Sequence, residues 1–195
     1  MQALRKHIRN KRQNLSPLFQ AETAQTITQH FLASPVLLAN QHVALYYPHQ
    51  AEVDTRELIA ALCQLDIQCY LPYLNPQKKQ ELLFLKYRPG DLLIQNRLGI
   101  EEPVFSQDKL IPALALELVL LPVVAFDVCG HRLGMGGGYY DRTFAGIHTE
   151  GSGPRPTLVG LAYGFQEIAY YKPESWDISL DGIITENGYL NFKNG

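Results

Sequence analysis

The sequence predicts a three-layer α/β/α domain with a largely parallel central sheet, on three observations. Strand-like and helix-like segments alternate along most of the chain. The most apolar segment, LELVLLPVVAFD (116–127), is a short run without polar alternation, the pattern of a strand covered on both faces. With 195 residues, 46% of them apolar, the chain is long enough for one core and short for two, so residues 1–195 form a single domain.

The elements follow in order. Residues 3–14 form a basic helix, with Leu4 and Ile8 on one face and Arg5, Arg9 and Arg12 crowding another. Ser16 followed by Pro17 is a cap and first turn for a second helix, reaching about Leu32. HVALYYP (42–48) is a strand closed by Pro48. Thr55 caps a helix to Leu65, on which Leu58, Ile59, Leu62 and Leu65 recur at helical spacing. IQCYLPYL (67–74) is a second strand and ELLFLKY (81–87) a third, at an edge. The 116–127 run is a continuous central strand, TLVGLAY (157–163) another buried one, and GIITE (182–186) a short one. HTEGSGPRP (148–156) is a surface loop. In such a sheet, ligands gather beyond the carboxyl ends of the strands, which places Tyr47, Tyr73 and Asp127 near one edge.

Composition excludes some functions. A net charge of −2 argues against a protein that coats nucleic acid or acidic membrane. No run is long and apolar enough to span a bilayer, and the basic N-terminus lacks the apolar core of a signal peptide. Cys63, Cys69 and Cys129 match neither a zinc ribbon nor a CxxC pair, so a cytoplasmic protein with reduced thiols is expected. His7, His30, His42, His49 and His148 show no metal-ligand spacing, and His131 reads as polar surface.

The stretch RLGMGGGYYDR (132–142) carries the chemistry. It places four glycines in seven residues after the apolar strand and before YYDRTFAGI, a short helix. Strand, glycine loop and helix is the setting in which backbone N–H groups cradle phosphate. Arg132 and Arg142 offer forked donors, and Asp127 and Asp141 are oxygen ligands of the kind Mg²⁺ takes beside a polyphosphate. The spacing is neither GxGxxG nor GxxxxGKS, so the domain is Rossmann-like without the dinucleotide fingerprint. A flexible surface turn is the alternative reading.

Read whole, FDxxGHRLGMGGGYYDR (126–142) resembles the C-terminal signature of the 5-formyltetrahydrofolate cyclo-ligase family, also called methenyltetrahydrofolate synthetase. LRKHIRNKRQNLS at the start, YYPHQAEVDT (46–55), GIEEP (99–103), LVLLPVVAFD (118–127) and VGLAYGFQ (159–166) resemble family segments in the same order, so the similarity spans nearly the whole chain. The resemblance implies a ligase of one-carbon metabolism that closes 5-formyltetrahydrofolate to 5,10-methenyltetrahydrofolate. It uses ATP and Mg²⁺, releases ADP and phosphate, and passes through a phosphorylated formyl (imidate-phosphate) intermediate. Folate is then the partner, with no nucleic acid or membrane, and a monomer is expected.

Roles carry over by position. Arg132, Leu133, Gly134, Met135, Gly136, Gly137, Gly138, Tyr139 and Tyr140 match the nucleotide loop, with Arg132, Tyr139 and Asp141 as catalytic residues. Some relatives carry basic residues where this chain has Met135 and Gly137, so a lysine at 137 is expected to be tolerated. Asp141 is the first choice of Mg²⁺ ligand and Asp127 the second. Arg5 matches the helix arginine that reaches ATP; the family's second basic contact falls to Lys6 or Arg9, or is absent, and helix 3–14 packs on or over the nucleotide site. Glu52 matches the acid that holds the pterin ring, and Tyr47 a substrate-lining position. Tyr73 is a candidate wall of the folate pocket. Trp176 is expected to pack against the body, and Glu102 has no assigned role. Two other functions fit parts of the pattern: a different ATP- or nucleotide-sugar-using enzyme, and a non-catalytic protein that recruits RNA through the basic helix.

Overall fold

A computed structural model describes residues 1–37, 40–145 and 155–192. The expected loop at 148–156 lies outside them except for Arg155 and Pro156, as does His148.

The helical expectations hold, with one change of role. Helix α1 (Gln2–Gln13) buries Ile8. Helix α2 (Pro17–Ala33) starts where Ser16 Oγ accepts from the Phe19 amide at 3.2 Å, and buries Ala24, Ile27 and Phe31. Helix α3 (Arg56–Gln64) buries Leu58, Ile59 and Leu62. Thr55 precedes α3, but its hydroxyl donates to the Tyr46 carbonyl; Asp54 accepts the Arg56 amide instead.

The sheet has eight strands. β1 (His42–Ala44) pairs in parallel with β2 (Gln68–Leu74) on one side and with β7 (Leu118–Pro122) on the other. β10 (Thr157–Leu161) and β11 (Gly182–Thr185) extend the parallel set beyond β7. Antiparallel strands close both ends. β12 (Gly188–Asn191) pairs with β11, while β3 (Leu82–Lys86) pairs with β2 and carries β6 (Leu110–Ile111) outside it. The 81–87 segment is therefore one strand in from the edge. A separate hairpin joins β4 (Leu93–Gln95) to β5 (Glu101–Pro103), where the sequence showed no strand.

Two expected strands are shorter, and both changes build the site. The first ends at Ala44, so Tyr46 and Tyr47 leave the sheet. The 116–127 run breaks at Pro122, which has no N–H for a ladder. The chain then turns into β8 (Ala125–Phe126), which pairs antiparallel with β9 (Arg132–Leu133). This hairpin carries the glycine stretch back over the sheet, into α4 (Tyr139–Thr143).

Each face of the sheet is covered. Helices α2 and α3 pack Ile27, Phe31, Leu58, Ile59 and Leu62 against Val43, Leu71, Leu118, Leu120 and Val159. On the other face Phe126, Phe144, Ile178 and Leu180 cover Ala44, Phe84, Val119, Leu121 and Ile183. The third layer is thus the short α4 with irregular chain. Helix α1 adds Ile8 to a small cluster with Val124, Ala125 and Leu133 of the β8–β9 region. No helix of the described residues is long and apolar enough to cross a membrane.

Candidate active site

From β1 the chain winds through α3 to β2 on one side; from β7 it runs to β10 and β11 on the other. The winding direction reverses between β1 and β7, and a crevice opens beyond their carboxyl ends. A cavity of about 1120 Å³ occupies it. Tyr46 and Tyr47 beyond β1, and Pro122 at the end of β7, lie in its lining. Pro72, Leu74 and Leu82 line it from β2 and β3, and Asn96, Ile100 and Glu102 from the β4–β5 hairpin. Arg132, Gly134 to Gly138, Tyr139, Tyr140, Asp141 and Arg142 line the facing side, with Arg5 of α1 beside them.

Most of the residues singled out in the sequence therefore meet in one space. Tyr47, Glu52, Arg5, Arg132, Gly134, Met135, Gly136, Gly137, Gly138, Tyr139, Tyr140 and Asp141 all line it. Lys6 lines an adjoining groove along α1 that also contains Arg5, Met135 and Gly136. Besides Lys6, three do not reach the cavity. Leu133 is fully buried in the cluster with Ile8 and Val124. Tyr73 is absent from the lining because side chains alternate along β2. Its neighbours Pro72 and Leu74 take the wall, while Tyr73 packs on Phe105 with ring centroids 5.4 Å apart. Asp127 is fully buried at the hairpin end, where it accepts from the amides of Cys129, His131 and Tyr171 and meets His131 Nδ1 at 2.9 Å. Burial alone would raise the Asp127 pKa, but these hydrogen bonds outweigh it and lower it.

The glycine loop is held open. Arg5 Nε donates to the Gly134 carbonyl at 2.9 Å, and Arg142 Nη1 to the Gly137 carbonyl at 2.9 Å. Gly136 has φ +95° and Gly138, just before α4, φ +67°, a region that side chains disfavour. Among the described residues the backbone N–H groups of Gly134 to Gly138 donate no hydrogen bond. Arg132 is 6% exposed; its Nη2 meets Asp141 Oδ1 at 2.5 Å, while its buried Nε has no hydrogen-bond partner among the described residues. Unfilled donors on a cationic loop fit a bound phosphate. Asp141 Oδ1 also accepts the Ile178 amide at 3.2 Å, and Oδ2 accepts no hydrogen bond among the described residues. A carboxylate oxygen beside that loop fits a magnesium ion.

The other end of the cavity holds two carboxylates, Glu52 and Glu102. Glu52 Oε2 accepts the His49 amide at 3.1 Å, and Oε1 lies 3.8 Å from Arg12 Nη2. Burial raises the Glu52 pKa to about 7, against the pull of Arg12, the His49 amide and Arg9. Burial, with Glu52 nearby, also holds the Tyr140 phenol well above its usual range. Glu102 Oε2 accepts the Leu74 amide at 3.0 Å and Asn96 Nδ2 at 2.9 Å, so it ties the β4–β5 hairpin to β2 at the cavity wall.

Some lining residues had no role in the sequence reading. Trp176 does not pack against the body: it is 68% exposed and stands on the cavity wall with Glu174, Asp177 and Ile178. This segment has no periodicity that could have marked it. Asn96 gave no signal either, and Glu102 could be noticed only as part of GIEEP.

A family model described as the 5-formyltetrahydrofolate cyclo-ligase family matches residues 1–186. A 5-formyltetrahydrofolate cyclo-ligase of Haemophilus influenzae is 39% identical over 183 residues, covering 94% of this chain and 96% of the relative. One from Escherichia coli is 36% identical over 178 residues, covering 91% and 96%. An NMR structure of 5,10-methenyltetrahydrofolate synthetase from Aquifex aeolicus superposes with a TM-score of 0.83 at 29% identity, covering all of this chain and 93% of the other. The synthetase from Mycoplasma pneumoniae gives 0.69 at 27% identity, covering 95% and 98%.

Proposed function

Because the chain belongs to the 5-formyltetrahydrofolate cyclo-ligase family and is an enzyme of that kind, we propose that it closes 5-formyltetrahydrofolate to 5,10-methenyltetrahydrofolate at the expense of MgATP, through a phosphorylated formyl intermediate. ATP supplies the phosphoryl group that turns the formyl oxygen into a leaving group, and Mg²⁺ offsets its charge. One observation carries the reading: a single cavity joins the glycine loop with its unpaired backbone donors to the largely buried Glu52 carboxylate. Two ligands bound there would meet at its centre.

The residues divide the work. Arg132, Arg5 and the N–H groups of Gly134 to Gly138 bind the phosphates, with Lys6 along the adjoining groove and Tyr139 and Tyr140 beside the loop. Asp141 is the residue that would hold Mg²⁺. Asp127 suits a different task, since its two oxygens already accept from the amides of Cys129, His131 and Tyr171. Glu52 accepts adjacent N–H groups of the pterin, as a carboxylate can with two oxygens. Tyr47 and the apolar residues of β2 and β3 flank the ring, and Trp176 offers an indole face at the rim. Catalysis here is alignment of donor and acceptor with charge stabilisation, and it needs no nucleophilic side chain. The protein works as a monomer in the cytoplasm, consistent with its free cysteines.

The test is spectroscopic. The methenyl product has a near-ultraviolet absorption band that the formyl substrate lacks. The band should grow when protein, MgATP and 5-formyltetrahydrofolate are mixed, and not when any one is left out. No band with all three present overturns the reading.

A further inference from the structure

Helix α1 grips the 49–52 turn from outside the cavity. Arg12 is 1% exposed and absent from the cavity lining, so it does not face a ligand. Its Nε donates to the Gln50 carbonyl at 3.1 Å, and Arg9 Nη2 donates to Gln50 Oε1. Gln50 and Ala51 both adopt left-handed backbone, at φ 50° and 58°, although neither is glycine. A turn of that shape persists only where its surroundings enforce it. It is closed on itself by the Glu52 amide donating to the His49 carbonyl and the His49 amide donating to Glu52 Oε2, both at 3.1 Å. The enforced turn delivers the Glu52 side chain to the cavity.

The ion pair has an unusual form. Arg12 Nη2 stands 3.8 Å from Glu52 Oε1, within reach of charge but too far for a hydrogen bond, and Nη2 has no hydrogen-bond partner among the described residues. The guanidinium therefore offsets the carboxylate charge without occupying its lone pairs. Apart from the one that Oε2 offers to the His49 amide, those lone pairs remain available to N–H groups in the cavity.

We infer that Arg12 is a positioning residue for folate recognition, fixing the place and the charge of the Glu52 carboxylate from behind. The inference rests on the reading that Glu52 holds the pterin ring. Few other groups bear on this carboxylate. Arg9 faces it from α1, His49 from its own turn, and the phenols of Tyr46, Tyr140 and Tyr163 from the remaining sides. Burial, followed by Arg12 and Arg9, lowers the His49 pKa, so His49 is neutral at pH 7 and above. The phenols are all held above their ordinary values, chiefly by burial, and are neutral as well. The charge of Glu52 near neutrality is thus set by burial against Arg12, the His49 amide and Arg9, of which Arg12 pulls hardest.

The test is folate affinity against pH for four proteins: the parent, Arg12→Met, Arg12→Lys and Glu52→Gln. Binding of 5-formyltetrahydrofolate is measured by calorimetry from pH 6.5 to 9, with ATP affinity and melting temperature as controls. Without Arg12 the Glu52 carboxylate ionises at higher pH. Arg12→Met should therefore bind folate roughly 10-fold more weakly at pH 6.5, and the deficit should close toward pH 9. Arg12→Lys keeps a positive charge and should recover most of the loss. It also serves as the folded variant if Arg12→Met does not fold. In that case, parental affinity of Arg12→Lys across the pH range supports the charge role, and a uniform deficit overturns it. A deficit of Arg12→Met that is equal at pH 6.5 and 9 makes Arg12 only a clamp on Gln50 and overturns the inference. The underlying reading fails separately: if Glu52→Gln binds folate as the parent does, Glu52 does not hold the pterin and the inference falls with it.

Discussion

Arg132 Nη2 and Asp141 Oδ1 lie 2.5 Å apart on the cavity wall, so the arginine expected to bind phosphate and the acid expected to bind magnesium are each other's counter-ion. Arg132 comes from β9 and Asp141 from α4, and the glycine loop is the chain between them. The pair fixes both ends of the loop. It also means that neither residue can be changed without disturbing the other.

Asp141→Asn should reduce turnover by about 100-fold or more, since it removes the carboxylate charge that would hold Mg²⁺ beside the loop. It should also cost about 1–3 kcal/mol of stability, because it leaves a guanidinium with 6% exposure without its counter-charge. Turnover over a Mg²⁺ titration, beside thermal unfolding, measures both. Near-parent turnover at ordinary Mg²⁺ would remove Asp141 from the metal site.

Glu52 should destabilise the empty protein above neutral pH. Its folded pKa of about 7 is above the ordinary carboxylate value of 4.5, so the unfolded chain ionises first as pH rises. Stability is unaffected below the lower value, falls between the two, and is level above the higher one. Glu52→Gln lacks this loss. Its stability relative to the parent should therefore improve from pH 4.5 to 7, by on the order of 1–3 kcal/mol. Parallel melting curves across that range check it; a constant difference would show that Glu52 is ionised throughout.

The glycines of the loop should tolerate substitution badly, for different reasons. Gly136 has φ +95°, so Gly136→Ala strains the backbone although its Cβ would meet the Arg5 guanidinium no closer than 3.7 Å. A cost of about 1–2 kcal/mol should weaken ATP binding roughly 5- to 30-fold. The resemblance implies that lysine is accepted at 137, but a Cβ there would stand 2.8 Å from Cδ2 of Tyr139. Gly137→Lys must displace that ring, and ATP affinity should fall rather than rise. Calorimetry on both variants decides it: tighter binding by Gly137→Lys would mean that the ring yields and the added charge wins.

Asp127→Ala should act on the hairpin and not on magnesium. Three amides and the His131 ring would lose their common acceptor, at a cost of about 3 kcal/mol or more. The stabilisation exists above the ordinary carboxylate range and disappears as acid protonates Asp127 through its lowered pKa. If the surviving folded fraction needs far more Mg²⁺ than the parent, Asp127 is a metal ligand after all.

Local features of the chain carried much of this outcome. The alternation of apolar runs determined the layer architecture, because a parallel sheet must be covered on both faces and its strands lose polar alternation. Ser16–Pro17 determined where α2 starts, and the glycine-rich run marked the loop whose backbone donors stay unpaired among the described residues. Other features depended on pairing across the fold. The break at Pro122 could be read as a strand passing through a proline, until β8 found its partner in β9. Tyr73 and Pro72 exchanged places at the wall because one residue of register moves a side chain to the opposite face. Trp176, in a segment without periodicity, reached the cavity only through the path of the chain. Arg12 and Glu52 lie on separate elements, and their approach shows in no spacing. Charge pairs between distant segments are set by packing, and packing is a property of the folded chain alone.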